Sequence, residues 1–381
     1  MPKFCIFLSE SSASRKIFIE NRPPLYYTDY SVPSPAGSAV SEGGLILTKK
    51  SDLKRKRRFG DRYDGYKVRA VDPFFVLIPH IMPTRNDSMV FFEEEIEITA
   101  LEQFVRRMRR ESDMKDLSMI QVVMAASVRM ISQKPAVNRF VSGRKIYARN
   151  DITVSLSVKK EMSIEGEETT IKPQFQPEDT LHDVWERLHD EFTTNKGSDS
   201  SNNTDIIAKI VSCLPGFLIK FVVWFLNGLD QFGWLPKFIH EFSPFHTSVF
   251  VVDNGSLGID SVFHHIYNFG TCSIFISVGR KRTEYRLKED GSTEKVKLMT
   301  FRFVVDERIC DGYYYGTTIR SFRKLMRNPE MLLTPPEQVF EDPGLPPAKG
   351  DKKERKAQKK LVKSEEKRAK KEAKAQKKTA A

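Results

Sequence analysis

The stretch that decides the fold reads Val-Val-Asp-Glu-Arg-Ile-Cys-Asp-Gly at residues 304–312. It follows an apolar run at residues 298–305, which predicts a buried strand. It precedes residues 313–326, which predict a helix. A polar turn between a strand and a helix is where α/β folds commonly place reacting side chains. We therefore expect this turn to lie in the functional site, with Glu307 and Asp311 as its candidate residues.

The frame Glu-Arg-Ile-Cys-Asp-Gly at residues 307–312 resembles the signature His-x-x-x-Asp-Gly of the chloramphenicol acetyltransferase family. That family includes the acyltransferase (dihydrolipoamide acyltransferase) components of 2-oxo acid dehydrogenase complexes. Its signature often has Asp before the histidine and Arg after it, as Asp306 and Arg308 stand here. The position of the family's catalytic histidine holds Glu307. The resemblance implies an α/β fold, a two-layer sandwich with a mixed β-sheet, assembled as a homotrimer with active sites between subunits.

Other pieces of the chain resemble the same family in the same order, over residues 60–335. A helix–helix–hairpin–strand pattern at residues 99–158 resembles the first half of the catalytic domain. Residues 251–279 resemble the family's Ser-Asn-Leu-Gly loop and the strand after it, and residues 313–333 resemble its closing helix. Several pieces in order make the resemblance more specific than the Asp-Gly pair alone.

The resemblance implies acyl transfer between coenzyme A and a thiol or hydroxyl acceptor, with acyl-CoA as co-substrate and a histidine as base. An unperturbed glutamate titrates near 4.3 and a thiol near 8.5, a gap of about four units or about 5–6 kcal/mol. Glu307 can act as the base only if burial or a neighbouring carboxylate raises its pKa. Two hypotheses stay open: an active acyltransferase, and a catalytically silent relative that acts as a binding or assembly protein.

The resemblance also places candidate residues outside the signature. A gap-free placement sets Asp253 and Asn254 over the Ser-Asn pair of the loop whose hydroxyl stabilises the oxyanion, and a small shift sets Ser256 there instead. An aspartate would repel the developing charge, whereas Asn254 and Ser256 could donate hydrogen bonds. Arg85 resembles the arginine that pairs with Asp311 to orient the catalytic loop. The other interpretation of Arg85 is an ordinary surface charge.

Histidines and cysteines offer few further candidates. Adjacent residues on a strand point to opposite sides, so at most one of His264 and His265 is expected to face the site. The four cysteines are far apart and no histidine completes a metal spacing, which predicts reduced thiols in the cytoplasm and no metal. We also expect no covalently bound lipoyl group, since no apolar strand pair flanks an Asp-Lys turn.

The positive charge of the chain is concentrated at one end. The net charge is +12, and residues 349–381 hold 15 Lys or Arg against 5 Asp or Glu, a net charge of +10. We expect a disordered N-terminal extension at 1–57, an acyltransferase-like catalytic domain at 58–345 and a basic Lys-rich tail at 346–381. The tail predicts weak contacts with polyanions, so a third hypothesis is an RNA- or ribosome-associated protein.

An aromatic zone lies at residues 206–235. Lysines, an aspartate and Pro215 interrupt it, so it falls short of the roughly 20 continuous apolar residues of a membrane span. We expect two helical pieces that meet at Pro215-Gly216. Their large aromatic face is interpreted as core or subunit interface, with a membrane-surface helix as the alternative; it comprises Phe217, Phe221, Trp224, Phe225 and Phe232.

Two capping boxes mark helix starts, one from Thr99 to Glu102 and one from Ser118 to Gln121. The segment after the second box, residues 122–131, is apolar nearly all round, so this helix is expected to be buried. Residues 138–148 predict a hairpin with its turn at Ser142-Gly143.

Overall fold

The structure is a computed structural model that describes residues 57–159, 168–197 and 215–345. The predicted tail and the predicted N-terminal extension, apart from Arg57, lie outside the described residues. The first of the two helical pieces in the aromatic zone lies outside them too.

A mixed sheet of seven strands forms the centre of the described chain. Its order is β2-β10-β9-β8-β5-β6, with β7 paired to β5. Strand β8 runs parallel to β5 and β9, and the other pairs are antiparallel. The strands are β2 (Met89–Glu97), β5 (Ile152–Lys159), β6 (Glu168–Ile171), β7 (Gln174–Phe175), β8 (Val249–Asp253), β9 (Ile274–Leu287) and β10 (Thr293–Asp306).

A second, three-stranded sheet has the order β1-β4-β3. It consists of β1 (Gly65–Lys67), β3 (Arg139–Ser142) and β4 (Lys145–Arg149). Strands β3 and β4 form the predicted hairpin, but its turn is Gly143-Arg144, one residue later than predicted, because Ser142 pairs with Lys145 in the ladder. Gly143 and Arg144 have φ angles of 53° and 60°. Two residues in the left-handed region are typical of a two-residue hairpin turn.

Helices cover one face of the large sheet, with α3 in contact with α4, α7, β5 and β8. The helices are α1 (Pro73–Ile81), α2 (Thr99–Glu111), α3 (Met119–Gln133), α4 (Leu181–Gly197), α5 (Gly216–Phe232), α6 (Lys237–Phe242) and α7 (Gly312–Arg327). As predicted, α3 is buried along nearly its whole length. The predicted α/β fold, a two-layer sandwich with a mixed sheet, is confirmed.

Side chains that alternate along β10 form the hydrophobic core between the sheet and α7. Phe301 and Phe303 point to the helices, and their rings meet Phe322 edge-on at 5.5 and 5.4 Å. All three side chains are almost completely buried. Each such ring contributes about 1.5–3 kcal/mol through burial, so this contact fixes α7 and the turn before it against the sheet.

The outward face of β2 carries charge from Glu93 onward. Glu93, Glu95 and Glu97 alternate with inward residues and face the arginines of β9 and β10. Arg302 Nε donates to Glu93 at 2.7 Å, and the pairs Arg282–Glu95 and Arg286–Glu97 continue the row. Because β2 is the edge strand, this row lies where another strand could otherwise pair.

One of the two predicted capping boxes is present. Ser118 and Gln121 form the reciprocal box at the start of α3. The prediction at Thr99 is wrong, because α2 already begins at Thr99 and the residue before it makes no side-chain cap. The Thr99 hydroxyl instead accepts the backbone N–H of Lys297 at 3.1 Å. The Thr99 hydroxyl oxygen thus accepts a backbone N–H of β10, where a capping box would have it accept an N–H of α2.

Candidate functional site

The turn after β10 is built on a buried ion pair. The Asp306 carboxylate is fully buried and accepts Arg308 Nε at 2.8 Å and Nη2 at 2.7 Å. Arg308 is itself only 2% exposed, and its backbone N–H also reaches Asp306 at 3.1 Å. A two-pronged contact between a guanidinium and a carboxylate is strong and fixes the geometry of both groups.

The same turn is bonded to the segment that follows α1. Arg308 Nη1 donates to the carbonyls of Met82 and Pro83 at 3.1 and 3.3 Å. Ser88 Oγ donates to Asp306 at 3.0 Å, and the Glu307 N–H donates to the Ser88 carbonyl at 2.9 Å. The backbone of Glu307 is therefore held rigidly while its side chain is exposed to solvent.

Asp311 and Arg85 lie in this region but are not bonded to each other. Asp311 is exposed and caps α7, accepting the Tyr314 N–H at 2.7 Å. Arg85 is buried and donates to the carbonyls of Val141 at 2.7 Å and Asn268 at 3.0 Å. Burial lowers the pKa of Arg85 to about 10, against the opposing charge of Asp306. Arg85 is thus no ordinary surface charge, and its acidic neighbour is Asp306.

Two groups beside the turn were not singled out by the sequence. The Tyr315 hydroxyl donates to the Asp306 carbonyl at 2.7 Å from the first turn of α7. Burial raises the pKa of Tyr315 and of the neighbouring Cys310 thiol. Cys310 therefore stays a thiol at neutral pH, which argues against a role as nucleophile.

The candidate loop after β8 uses most of its polar groups internally. The buried amide of Asn254 donates to Ser277 Oγ at 3.0 Å. Ser256 is exposed, and its hydroxyl donates to the Asp253 carbonyl at 2.8 Å while its N–H faces the Asp253 carboxyl at 3.2 Å. Burial raises the pKa of Asp253, and the backbone N–H groups of Ser256 and Gly255 only partly oppose this shift. Of the three candidates, Ser256 is the one open to solvent.

The strand register separates this loop from Glu307. Asp253 stands opposite Val278 of β9, and Val278 stands opposite Phe301 of β10. Glu307 follows six residues after Phe301, which is about 20 Å at 3.3 Å per residue. Within one chain, the structure does not bring Glu307 together with Asp253, Asn254 or Ser256.

The adjacent histidines do not point apart as expected. The rings of His264 and His265 stack on each other at 4.9 Å, and His264 also stacks on Phe275 at 4.1 Å. The expectation was made for a strand or a loop, but only a strand makes neighbouring side chains alternate, and this segment is irregular. Asn268, a few residues later, holds the backbone and guanidinium of Arg85.

A buried network of imidazoles and carboxylates lies at the base of α5 and α6. Arg62 bonds Asp64 and Asp230, both at 2.7 Å. His240 Nε2 lies 3.3 Å from Asp64, and His246 Nε2 lies 3.6 Å from Asp230. No sequence signal marks these residues, because they are scattered over almost 200 positions. His246 is completely enclosed, so we interpret the network as a structural link rather than a catalytic centre.

Burial sets the protonation of this network. It lowers the pKa of His246 to about 4, although Asp230 opposes the shift, and it also lowers the pKa of His240. Lys172, whose Nζ donates to the His240 and Ser243 carbonyls, has its pKa lowered by burial to about 7. The enclosed imidazoles are therefore neutral at physiological pH.

The His246 shift predicts acid sensitivity. The unfolded imidazole binds a proton near pH 6.5, whereas the folded one does so only near pH 4. The free energy of unfolding should therefore fall by about 3 kcal/mol from this group as pH drops through that window. Urea unfolding at steps between pH 7 and 4 measures the slope. His246→Gln should flatten it and the exposed His265→Gln should not; an unchanged slope in His246→Gln would contradict the prediction.

A surface cleft of about 430 Å³ lies at the far end of β10 from Glu307. Among its lining residues, Leu298 stands nine positions before Glu307 on the chain. Glu95, Glu97, Arg286 and Arg327 give it charges of both signs. The cleft therefore does not serve Glu307 within one chain.

Within the described ranges, no group of three or more His, Cys, Asp or Glu side chains is arranged to hold a metal ion. In the same part of the chain, no helix is long and apolar enough to cross a membrane.

Comparison with known proteins gives matches among solved structures alone. No protein-family model matches the chain, and no curated protein matches it. A probable dihydrolipoamide acetyltransferase from Listeria monocytogenes matches with 12% identity over 72% of this chain and 99% of that one, at a TM-score of 0.43. The dihydrolipoamide acetyltransferase of Azotobacter vinelandii matches with 11% identity over 70% and 95%, also at 0.43. A chloramphenicol acetyltransferase matches with 8% identity over 65% and 91%, at 0.38.

These matches name the same kinds of enzyme that the sequence resembles. Identities and TM-scores this low describe how similarly the backbones are folded. They carry no information about activity. What the protein does is therefore inferred from its own residues.

Proposed function

We propose that the protein is an acyltransferase-like protein that moves an acyl group between coenzyme A and a thiol or hydroxyl acceptor in the cytoplasm. Glu307 stands in the position of the base. The observation that supports this is the rigid turn on Asp306 and Arg308, which presents the carboxylate of Glu307 to solvent at the histidine position of the signature frame. A base must be held in place to meet the proton it removes, and this turn fixes its backbone.

The site would be completed by a second copy of the chain. Glu307 and the loop at Asp253 lie about 20 Å apart along the sheet, too far for one reacting group to touch both. Next to the loop, exposed apolar side chains form a patch that includes a contact between Phe91 and Phe263 at 5.4 Å. A homotrimer that packs Glu307 of one copy against this patch on the next copy would remove water from Glu307, which a carboxylate base requires. The patch consists of Phe91, Leu257, Ile259, Val262 and Phe263.

The hydroxyl of Ser256 is the donor that this loop offers to a developing oxyanion, because Ser256 is exposed. A charged aspartate at the same place would repel the oxyanion. Burial raises the pKa of Asp253, which lessens that repulsion. In the proposed reaction, Glu307 takes the acceptor proton and the acceptor oxygen or sulfur attacks the thioester carbonyl. The bond between the carbonyl carbon and the sulfur of coenzyme A then breaks, and Glu307 returns the proton to that sulfur, so that coenzyme A leaves as its thiol.

One observation favours the alternative of a silent relative that binds or assembles. In the single chain Glu307 is exposed, and the cleft of about 430 Å³ lies at the far end of β10. In that case the protein would keep the fold for assembly, with contacts to polyanions through its basic tail.

Mixing two inactive variants tests whether the site is shared between copies. Glu307→Gln removes the base. Ser256→Trp blocks the loop with a bulky side chain at an exposed position, so the fold of the single chain should tolerate it. Each alone should abolish acetyl-CoA turnover, and co-expression of both should restore part of it, because some interfaces then pair an intact base with an intact loop. Light scattering of the same samples should give a trimer. A monomer at micromolar concentration, or a mixture as inactive as its parts, would contradict a shared site.

A further inference from the structure

Helix α5 turns its aromatic side chains away from the protein. The exposed fractions of Phe217, Trp224 and Phe232 are 72%, 69% and 70%, and Phe221 and Phe225 are also exposed. In a soluble domain the apolar stripe of a helix normally faces the core. The interpretation of this face as core is therefore wrong, and a patch of this size indicates a surface that meets another phase or molecule. Trp234 and Phe238 extend the patch into α6.

The exposed apolar residues lie on more than one side of α5. Val223 is 48% exposed and Phe221 is 57% exposed, yet their side chains leave the helix in directions about 160° apart at 100° per residue. A flat contact with a second copy of the chain would leave part of these side chains in water, whereas headgroups and acyl chains can close around a helix that lies among them. The contacts of α5 with the protein body that we describe gather at its C-terminal end, where Asp230 bonds Arg62 and the Gln231 carbonyl meets Gly143.

Positive charge surrounds the aromatic patch. Lys220 on α5 and Lys237 on α6 are exposed, and so are Arg144 and Lys145 in the turn beside Gln231. The aspartate of α5, Asp230, is buried in its ion pair, which leaves Glu241 as the acid of these two helices. This combination of aromatic rings and cations complements an anionic lipid surface.

We propose that α5 and α6 dock the protein on an anionic lipid bilayer, with α5 lying in the plane of the headgroups. Trp224 and Trp234 suit this depth, because indole rings favour the boundary between acyl chains and water. Helix α5 has 17 residues, and no described helix can cross a bilayer, so the contact is a surface one. The +10 of residues 349–381 adds attraction to the same lipids. Docking does not depend on acyl transfer, and each can fail without the other.

Cosedimentation of the full chain with vesicles tests the proposal. Vesicles of phosphatidylcholine with 30% phosphatidylserine should pellet the wild type, and vesicles of phosphatidylcholine alone should pellet much less. Phe221→Ser combined with Trp224→Ser should weaken binding at least tenfold. The matched control is Tyr285→Ser with Leu287→Ser, two apolar residues of β9 that are 71% and 72% exposed, and it should bind as the wild type does. Brominated lipids should quench the wild-type tryptophan fluorescence.

Removal of residues 349–381 separates the contribution of the basic tail to lipid binding from that of the aromatic patch. The shortened chain should bind vesicles more weakly than the full chain does. Adding Phe221→Ser and Trp224→Ser to the shortened chain should weaken its binding further. If the patch variant of the full chain binds like the wild type, the tail alone holds the lipid and the proposal is wrong. The proposal is also wrong if the wild type does not sediment with vesicles. In that case, a trimer that is lost in the patch variant would show that this face binds a second copy.

Discussion

Replacing Glu307 by histidine should raise acetyl-CoA turnover at pH 7 by about 10²-fold. Histidine titrates near 6.5, about two units closer to a thiol than an unperturbed glutamate, and a general base contributes about 10²–10⁴ in rate. Since hydrogen bonds from the turn hold the backbone of residue 307, the new imidazole should start from the position that the carboxylate has now. The assay is thiol release from acetyl-CoA with a small dithiol acceptor across pH 6 to 9.

Glu307→Gln is the matched control, because it keeps the size of the side chain and removes the base. Strong wild-type turnover that Glu307→Gln abolishes would show that glutamate already serves as base, in the environment that a second copy provides. Adding Asp253→Ser to Glu307→His should help further only if Asp253 is charged in the assembled site. If no variant turns over, the alternative of a binding or assembly protein is favoured.

Replacing Arg308 by methionine should lower the free energy of unfolding by about 3–5 kcal/mol. The change leaves the Asp306 carboxylate fully buried without its charged partner. It also leaves the carbonyls of Met82 and Pro83 without the Arg308 donor. Urea unfolding followed by circular dichroism measures the loss.

Two further variants make that measurement specific. Arg107→Met removes an exposed pair with Glu330 and should cost at most about 1 kcal/mol. Asp306→Asn combined with Arg308→Met should recover part of the loss, because no charge then stays buried alone. A loss at Arg308 no larger than that at Arg107 would mean that the ion pair does not hold the turn.

Much of the fold could be predicted because local patterns determine it. The strand at 298–305 and the helix after the Asp-Gly pair follow from the side-chain pattern. The structure extends the helix by one residue at each end, whereas β10 begins five residues earlier than predicted, at Thr293. The Ser118 box forms through hydrogen bonds between Ser118 and Gln121 in the first turn of α3. The Thr99 box fails because a donor from Lys297, almost 200 residues away, takes the oxygen.

Less of the candidate site could be predicted, because its geometry comes from distant contacts. The frame around Glu307 was visible in the sequence, but the partners of Arg308 and Arg85 are backbone carbonyls, which carry no residue signature. The separation of Glu307 from Asp253 follows from strand register, which a single sequence does not reveal. The link of His246 to Asp230 joins two residues of no recognisable motif.

The pairing of β2 with β10 also has a consequence for how the newly made chain folds. Arg302 and Glu93 are neighbours in the sheet but 209 positions apart in sequence. At about 5–20 residues per second, β2 leaves the ribosome roughly 10–40 seconds before its partner. During that time its apolar residues Val90, Phe91 and Phe92 have no sheet to join, and contacts between such distant residues form slowly. The four glutamates that follow in the same strand act as gatekeepers, since repulsion between like charges discourages β2 from pairing with β2 of another nascent chain.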